Sequence, residues 1–150
     1  MKRLVLYVMI MILCLAVSIS VYASASTEEA EAMVKKAVAF MKENGKEKAL
    51  AEFNKPKSPF VKGELYIFVY DMNATIVAHP IKPALIGKNL LEMTDYSGKY
   101  FRKEIVRIAK EKGKGWVDYD YQNPVSKKIE LKTTYFEKVG DLIICCGAYK

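Results

Sequence analysis

The last third of the sequence carries three strand-like runs joined by links that are too short for anything except turns, and this restricts how a sheet can be built. Gly115 to Tyr121 alternates, Ile129 to Val139 is rich in strand-forming residues, and Leu142 to Tyr149 is almost wholly apolar. Asn123-Pro124-Val125-Ser126 and Gly140-Asp141 connect them. Parallel neighbours need a crossover of about a dozen residues or more, so these three strands must pair antiparallel. The final run is too apolar to be an edge left in water.

Upstream, two further strands are expected. Leu65 to Tyr70 is β-branched and aromatic, Thr75 to His79 is a second such run, and Asp71-Met72-Asn73-Ala74 supplies a hairpin turn. Helices flank them. Ser26-Thr27-Glu28-Glu29 reads as a capping box, and Ala30, Met33, Val34, Ala37 and Met41 recur at helical spacing until Asn44-Gly45, where glycine suits a left-handed cap. Lys46 to Phe53 reads as a short second helix, closed by the proline-containing loop from Asn54 to Pro59. Pro80 to Gly98 is loop-like. Phe101, Ile105, Ile108 and Ala109 then line one face of another helix that stops at Gly113 and Gly115. The predicted architecture is α+β: a five-stranded antiparallel sheet, a long N-terminal helix, and a helix-containing insertion between strands two and three, lying across one sheet face and enclosing a small cavity.

Location is written at the N-terminus. Lys2 and Arg3 precede an apolar stretch from Leu4 to Val21, followed by Val21-Tyr22-Ala23 and Ala23-Ser24-Ala25, which carry the small residues that signal peptidase requires. Residues 1–25 are read as an export signal, and the length of the stretch also admits an uncleaved membrane anchor. Either outcome exports the remainder, to a periplasmic location. Leu13 is too bulky for lipid modification at Cys14. Net charge is +7, from 24 Lys and Arg against 17 Asp and Glu. Removing Lys2 and Arg3 from the 24 leaves 22 against the same 17, so charge alone indicates little. The basic run from Lys99 to Lys114, Arg102 included, reads as a solvated helix face, and no nucleic-acid motif accompanies it.

One His and three Cys are too few for most zinc or haem sites, and no cofactor or metal is expected. Neither a nucleophile elbow nor a phosphate-binding glycine loop is present, so no catalytic residue is assigned and no enzyme activity is expected. Cys145 and Cys146 are adjacent, which in a strand points them to opposite faces. Buried free thiols follow, with an intermolecular disulfide as the alternative in an oxidising compartment.

Several spaced segments together carry a resemblance. Tyr66-Ile67-Phe68-Val69-Tyr70-Asp71, Ala78-His79-Pro80, Leu85-Ile86-Gly87-Lys88-Asn89, Asp95-Tyr96-Ser97-Gly98-Lys99, Gly115-Trp116-Val117-Asp118-Tyr119, Asn123-Pro124, Lys132-Thr133-Thr134-Tyr135 and Gly147-Ala148-Tyr149 occur in the order of the single Cache domain of type 2, which residues 26–150 resemble. The resemblance implies a PAS-like fold and an extracytoplasmic sensor of small molecules, often short carboxylates, of the kind found in bacterial chemoreceptors and histidine kinases. Two features depart from the family. Ala74 stands where a turn glycine is usual, at a cost on the order of 1 kcal/mol if the position requires positive φ. The chain also stops at Lys150, so its signal is expected to pass to a separate membrane receptor or histidine kinase.

The expected ligand is a small organic acid. Lys132 lies in an alternating strand; pointing to the covered face, its ammonium is a natural carboxylate partner. His79 stands where the insertion begins, at a cavity rim, able to donate to a ligand oxygen. Alternation puts Val117, Tyr119 and Tyr121 on one face, with the tyrosines as a cavity wall that offers rings and hydroxyls, and Tyr66 and Phe68 continue a similar row with Tyr70. Core packing is the competing role for every one of these rings. Two other functions stay open: an interaction module whose pocket is filled by its own side chains and whose long helix mediates homodimerisation, and a membrane-anchored accessory subunit. A filled cavity favours the first.

Overall fold

The computed structural model describes residues 24–150. Apart from Ser24 and Ala25, the export-signal or anchor segment, with Cys14, lies outside the described residues. Among those described, no helix is long and apolar enough to cross a membrane.

Helix α1 (Thr27–Asn44) begins at the expected capping box, with the Ser26 hydroxyl accepting from the Glu29 amide and the Glu29 carboxylate accepting from the Ser26 amide. Its stripe of Ala30, Met33, Val34, Ala37, Val38 and Met41 is buried. Fully burying a Val or Met side chain contributes about 1.5 to 3 kcal/mol, so this stripe fixes the helix to the sheet. The helix offered for a homodimer therefore spends its apolar face inside its own domain. Gly45 ends α1 and starts α2 (Lys46–Phe53); its φ of 83° is positive, but a ψ of 161° makes it an extended corner rather than the expected left-handed cap.

The predicted first strand is divided. β1 (Val61–Lys62) and β2 (Leu65–Tyr66) form a small hairpin around Gly63, whose φ is 60°, and β3 (Phe68–Asp71) begins after Ile67, whose amide turns away to the Phe60 carbonyl. β4 (Ile76–Ala78), α3 (Phe101–Lys112), β5 (Lys114–Gln122), β6 (Ile129–Val139) and β7 (Leu142–Tyr149) follow. The main sheet has the order β4-β3-β7-β6-β5, and every pair in it is antiparallel. The apolar last strand lies at its centre, as its composition requires.

Two cores sit on the two faces. α1 and α2 cover one face with Phe53, Phe60 and Cys146; α3 and the insertion cover the other with Phe68, Phe101, Ile105 and Cys145. The two cysteines are free, buried and on opposite faces, as alternation dictates. Apart from Arg102, the basic run on α3 is largely solvated and partly neutralised by Lys99–Glu104, Lys103–Glu92 and Arg107–Glu111 pairs.

The turn between β3 and β4 holds Ala74 at φ 61°, with the Asp71 carboxylate accepting from the amides of Asn73 and Thr75. Relief of left-handed strain in Ala74→Gly is worth about 1 kcal/mol. The methyl group is fully buried, however, and losing it costs about 0.8 kcal/mol. Ala74→Gly should therefore leave stability within about 0.5 kcal/mol of wild type by urea denaturation. A gain well above that value would mean that strain outweighs packing here.

Candidate functional site

β6 lies between β5 and β7, which places Lys132 opposite Tyr119 on one side and Tyr149 on the other. Its side chain points to the covered face and is only 1 % exposed. The ammonium donates to the Tyr66 hydroxyl at 2.9 Å and sits 4.2 to 5.4 Å from the ring centres of Tyr66, Phe68, Tyr149 and Tyr121. A lysine ammonium has three donors. Among the described residues no carboxylate lies within ion-pair distance of it. Burial is the main reason that its pKa falls from 10.5 to about 7.

Gly147 makes room for this lysine. A Cβ there would lie 2.6 Å from Lys132 Cε, 3.0 Å from Cγ, and closer still to the Thr134 hydroxyl, so the lysine stem crosses β7 only because the position carries no side chain. Gly147→Ala should cost about 1 to 3 kcal/mol of stability and displace the ammonium. Denaturation and ligand titration of that variant check this, and a protein unchanged in both would show that the lysine has another path.

The six residues nominated from sequence do converge. Lys132, Tyr66, Phe68, His79, Tyr119 and Tyr121 line one space, together with Tyr70 and Ile76. That space is not the expected hollow: its free volume is about 10 Å³, room for about one water molecule. The rings and the lysine stem fill it themselves. Tyr119 is closest to pure core, since its ring stacks on Phe101 at 3.7 Å and its hydroxyl meets the Thr134 hydroxyl at 2.9 Å.

His79 is buried against the rings of Tyr66 and Phe68. Its Nδ1 accepts from the Lys82 amide at 3.1 Å, which leaves the ring proton on Nε2 as a donor. Burial first, then the positive charges of Lys132, Lys82 and Arg102, push its pKa down to about 3, so it stays neutral at physiological pH.

Arg102 is the residue that the sequence reading misplaced. Grouped there with solvated charges, it is only 4 % exposed, with Nε donating to the Tyr70 hydroxyl at 3.2 Å and a terminal nitrogen donating to the Met93 carbonyl at 3.3 Å. Its place was readable: Arg102 precedes Ile105, Val106 and Ala109 by three, four and seven residues, on the buried stripe of α3. With Lys82, Asp95, Leu85, Phe101 and Tyr121 it lines an outer space of about 380 Å³. Tyr121 borders both spaces.

The profile of the family described as Single Cache domain 2 matches residues 19–150. The chain belongs to the single Cache domain 2 family. Among structures similar to this Cache domain, a methyl-accepting chemotaxis protein from Vibrio parahaemolyticus is 24% identical at a TM-score of 0.70, covering 81% of this chain and 86% of that one. A periplasmic sensor domain of a chemotaxis protein is 25% identical at a TM-score of 0.64, covering 81% and 88%. A Cache chemosensory domain described for carboxylic acid recognition is 22% identical at a TM-score of 0.63, covering 81% and 86%. The first and third of these likenesses establish the fold. In sequence, the Cache domain is 28% identical over 86 residues to the methyl-accepting chemotaxis protein McpP of Pseudomonas putida, a match that takes in 56% of this chain and only 16% of that protein. These relatives are described as chemotaxis proteins and chemosensory domains.

Proposed function

We propose that this Cache domain binds a short organic carboxylate outside the cytoplasm, at Lys132, as the sensing step of a signalling system. One observation carries the reading: a fully buried ammonium with a single hydrogen bond and no acidic partner among the described residues. Desolvating an unpaired charge is costly, and an incoming carboxylate supplies the missing charge and acceptors. Around it, the neutral His79 offers Nε2–H, Tyr66 and Tyr121 offer hydroxyls, and Phe68 with the tyrosine rings contacts the carbon chain. Because the inner space holds about one water molecule, the ligand enters by moving Tyr121 and the insertion. That movement would change the surface presented to the rest of the signalling system. The carboxylic acid recognition described for one structural neighbour is in keeping with this chemistry.

Calorimetric titration with acetate, propionate, pyruvate and lactate, each beside its uncharged amide, tests the proposal. The acids should bind and the amides should not. The contracted inner space favours a second reading, an interaction module that takes no ligand, and silence from every acid would decide for it.

A further inference from the structure

Lys132 is not the only buried cation here without an acid. At the other end of the same row of rings, Arg102 has two guanidinium nitrogens engaged by Tyr70 and Met93, and Lys82 lies over the Tyr121 ring at 4.6 Å. Among the described residues neither has a carboxylate within ion-pair distance. The one acid bordering their space, Asp95, has both carboxylate oxygens engaged: one accepts from the amides of Ser97 and Lys99, the other from the amide of Asp120. The site thus has two cationic centres, an inner one at Lys132 and an outer one at Arg102 and Lys82, with Tyr121 between them.

The spacing of the centres follows from the row of rings. Lys132 bonds the hydroxyl of Tyr66 and Arg102 bonds that of Tyr70, and the Phe68 ring lies between the two, 5.8 Å from one ring and 5.6 Å from the other. Through Phe68, the ring centres of Tyr66 and Tyr70 therefore lie at most about 11 Å apart. Subtracting an N–H···O contact of about 2.8 Å at each end leaves about 6 Å for an anion that touches both centres.

We infer that the ligand is a linear dicarboxylate, with one carboxylate at Lys132, the other at Arg102 and Lys82, and its methylene chain along the row of rings. This rests on the carboxylate reading above and narrows it. A length of about 6 Å between outer oxygens fits chains of four or five carbons, whereas malonate is too short to reach both centres. A monocarboxylate satisfies one centre and leaves the other buried and unmatched, which is the physical basis for selection.

The test is calorimetry on the purified full chain with matched pairs, succinate against butyrate and glutarate against pentanoate, with malonate as the short control. In wild type each four- or five-carbon dicarboxylate should bind at least tenfold more tightly than its matched monocarboxylate, and malonate should fall to the monocarboxylate level. Arg102→Lys keeps the charge but loses the forked donors. It should weaken the dicarboxylates about tenfold or more and leave butyrate unchanged. Matched pairs within tenfold of each other in wild type, where no variant's folding is at issue, overturn the inference while leaving carboxylate binding intact, as does equal loss of succinate and butyrate in Arg102→Lys. If no acid of either kind binds, both readings fall together.

Discussion

Lys132→Met is expected to abolish measurable carboxylate binding and to leave the domain no less stable than wild type. Losing one partner of a buried charge pair costs about 2 to 5 kcal/mol, which is about 30-fold to 4,000-fold in affinity. Stability should move the other way. In the ligand-free protein the ammonium is desolvated against four rings with one hydrogen bond, and methionine fills a similar volume without a charge to bury. The Tyr66 hydroxyl loses a donor in exchange, a cost of about 1 kcal/mol. Calorimetry and urea denaturation measure the two quantities on one preparation. Unchanged affinity would remove Lys132 from the site. A large loss of stability would make the lysine a structural strut and take away the reason for proposing a ligand.

This division between a site retained at a cost and a core that stabilises also governs what could be read from the sequence. Alternation is a strict rule, so relative facing along β5 and β7 was legible residue by residue: Tyr119 and Tyr121 share a face, and Cys145 and Cys146 part company, whereas alternation alone left open whether Lys132 on β6 points under cover or into solvent. Short links fixed the antiparallel pairing, and apolar content put β7 in the centre. Helical stripes are broader and more easily rotated. Taking Phe101, Ile105, Ile108 and Ala109 as the buried face turned Arg102 outward, whereas the true stripe includes Arg102 and Val106. The hairpin of β1 and β2 was hidden because two-residue strands have no period to detect, and only Gly63 marks the turn. The filling of the inner space was beyond pattern reading altogether. Whether a ring of aromatic residues encloses a hollow or closes on itself depends on rotamers, and the path of the Lys132 stem depends on Gly147, in a strand paired alongside.

The pH dependence of the ligand-free and ligand-bound protein separates a functional amine from a merely buried one. The Lys132 pKa is depressed in the folded state, to about 7 from an ordinary 10.5, so between these values the unfolded chain holds a proton that the folded one has released. Stability then rises with pH, because the slope follows the excess of protons on the unfolded side, and from pH 7 to 9 this one group contributes about 2 kcal/mol of added stability. The raised tyrosine pKa values hardly oppose it in that window, but the two buried thiols do, because an unfolded cysteine titrates at about 8.5 while Cys145 and Cys146 keep their protons; the Lys132 contribution is therefore read as the difference between wild type and Lys132→Met. His79, lowered to about 3 from 6.5, acts on the acid side, where stability falls as pH drops below about 6.5 and the unfolded histidine gains its proton. A carboxylate in the site reverses the logic at Lys132. Pairing holds the proton on the amine, so the rise from pH 7 to 9 should vanish at saturating ligand, and binding above pH 7 must take up a proton. Affinity should accordingly fall about 50-fold between pH 7 and 9, with proton uptake approaching one per ligand in buffers of different ionisation enthalpy. Lys132→Met should show neither the rise in stability nor any proton uptake. An affinity that stays constant from pH 7 to 9 would mean that the anion is not held by the Lys132 amine.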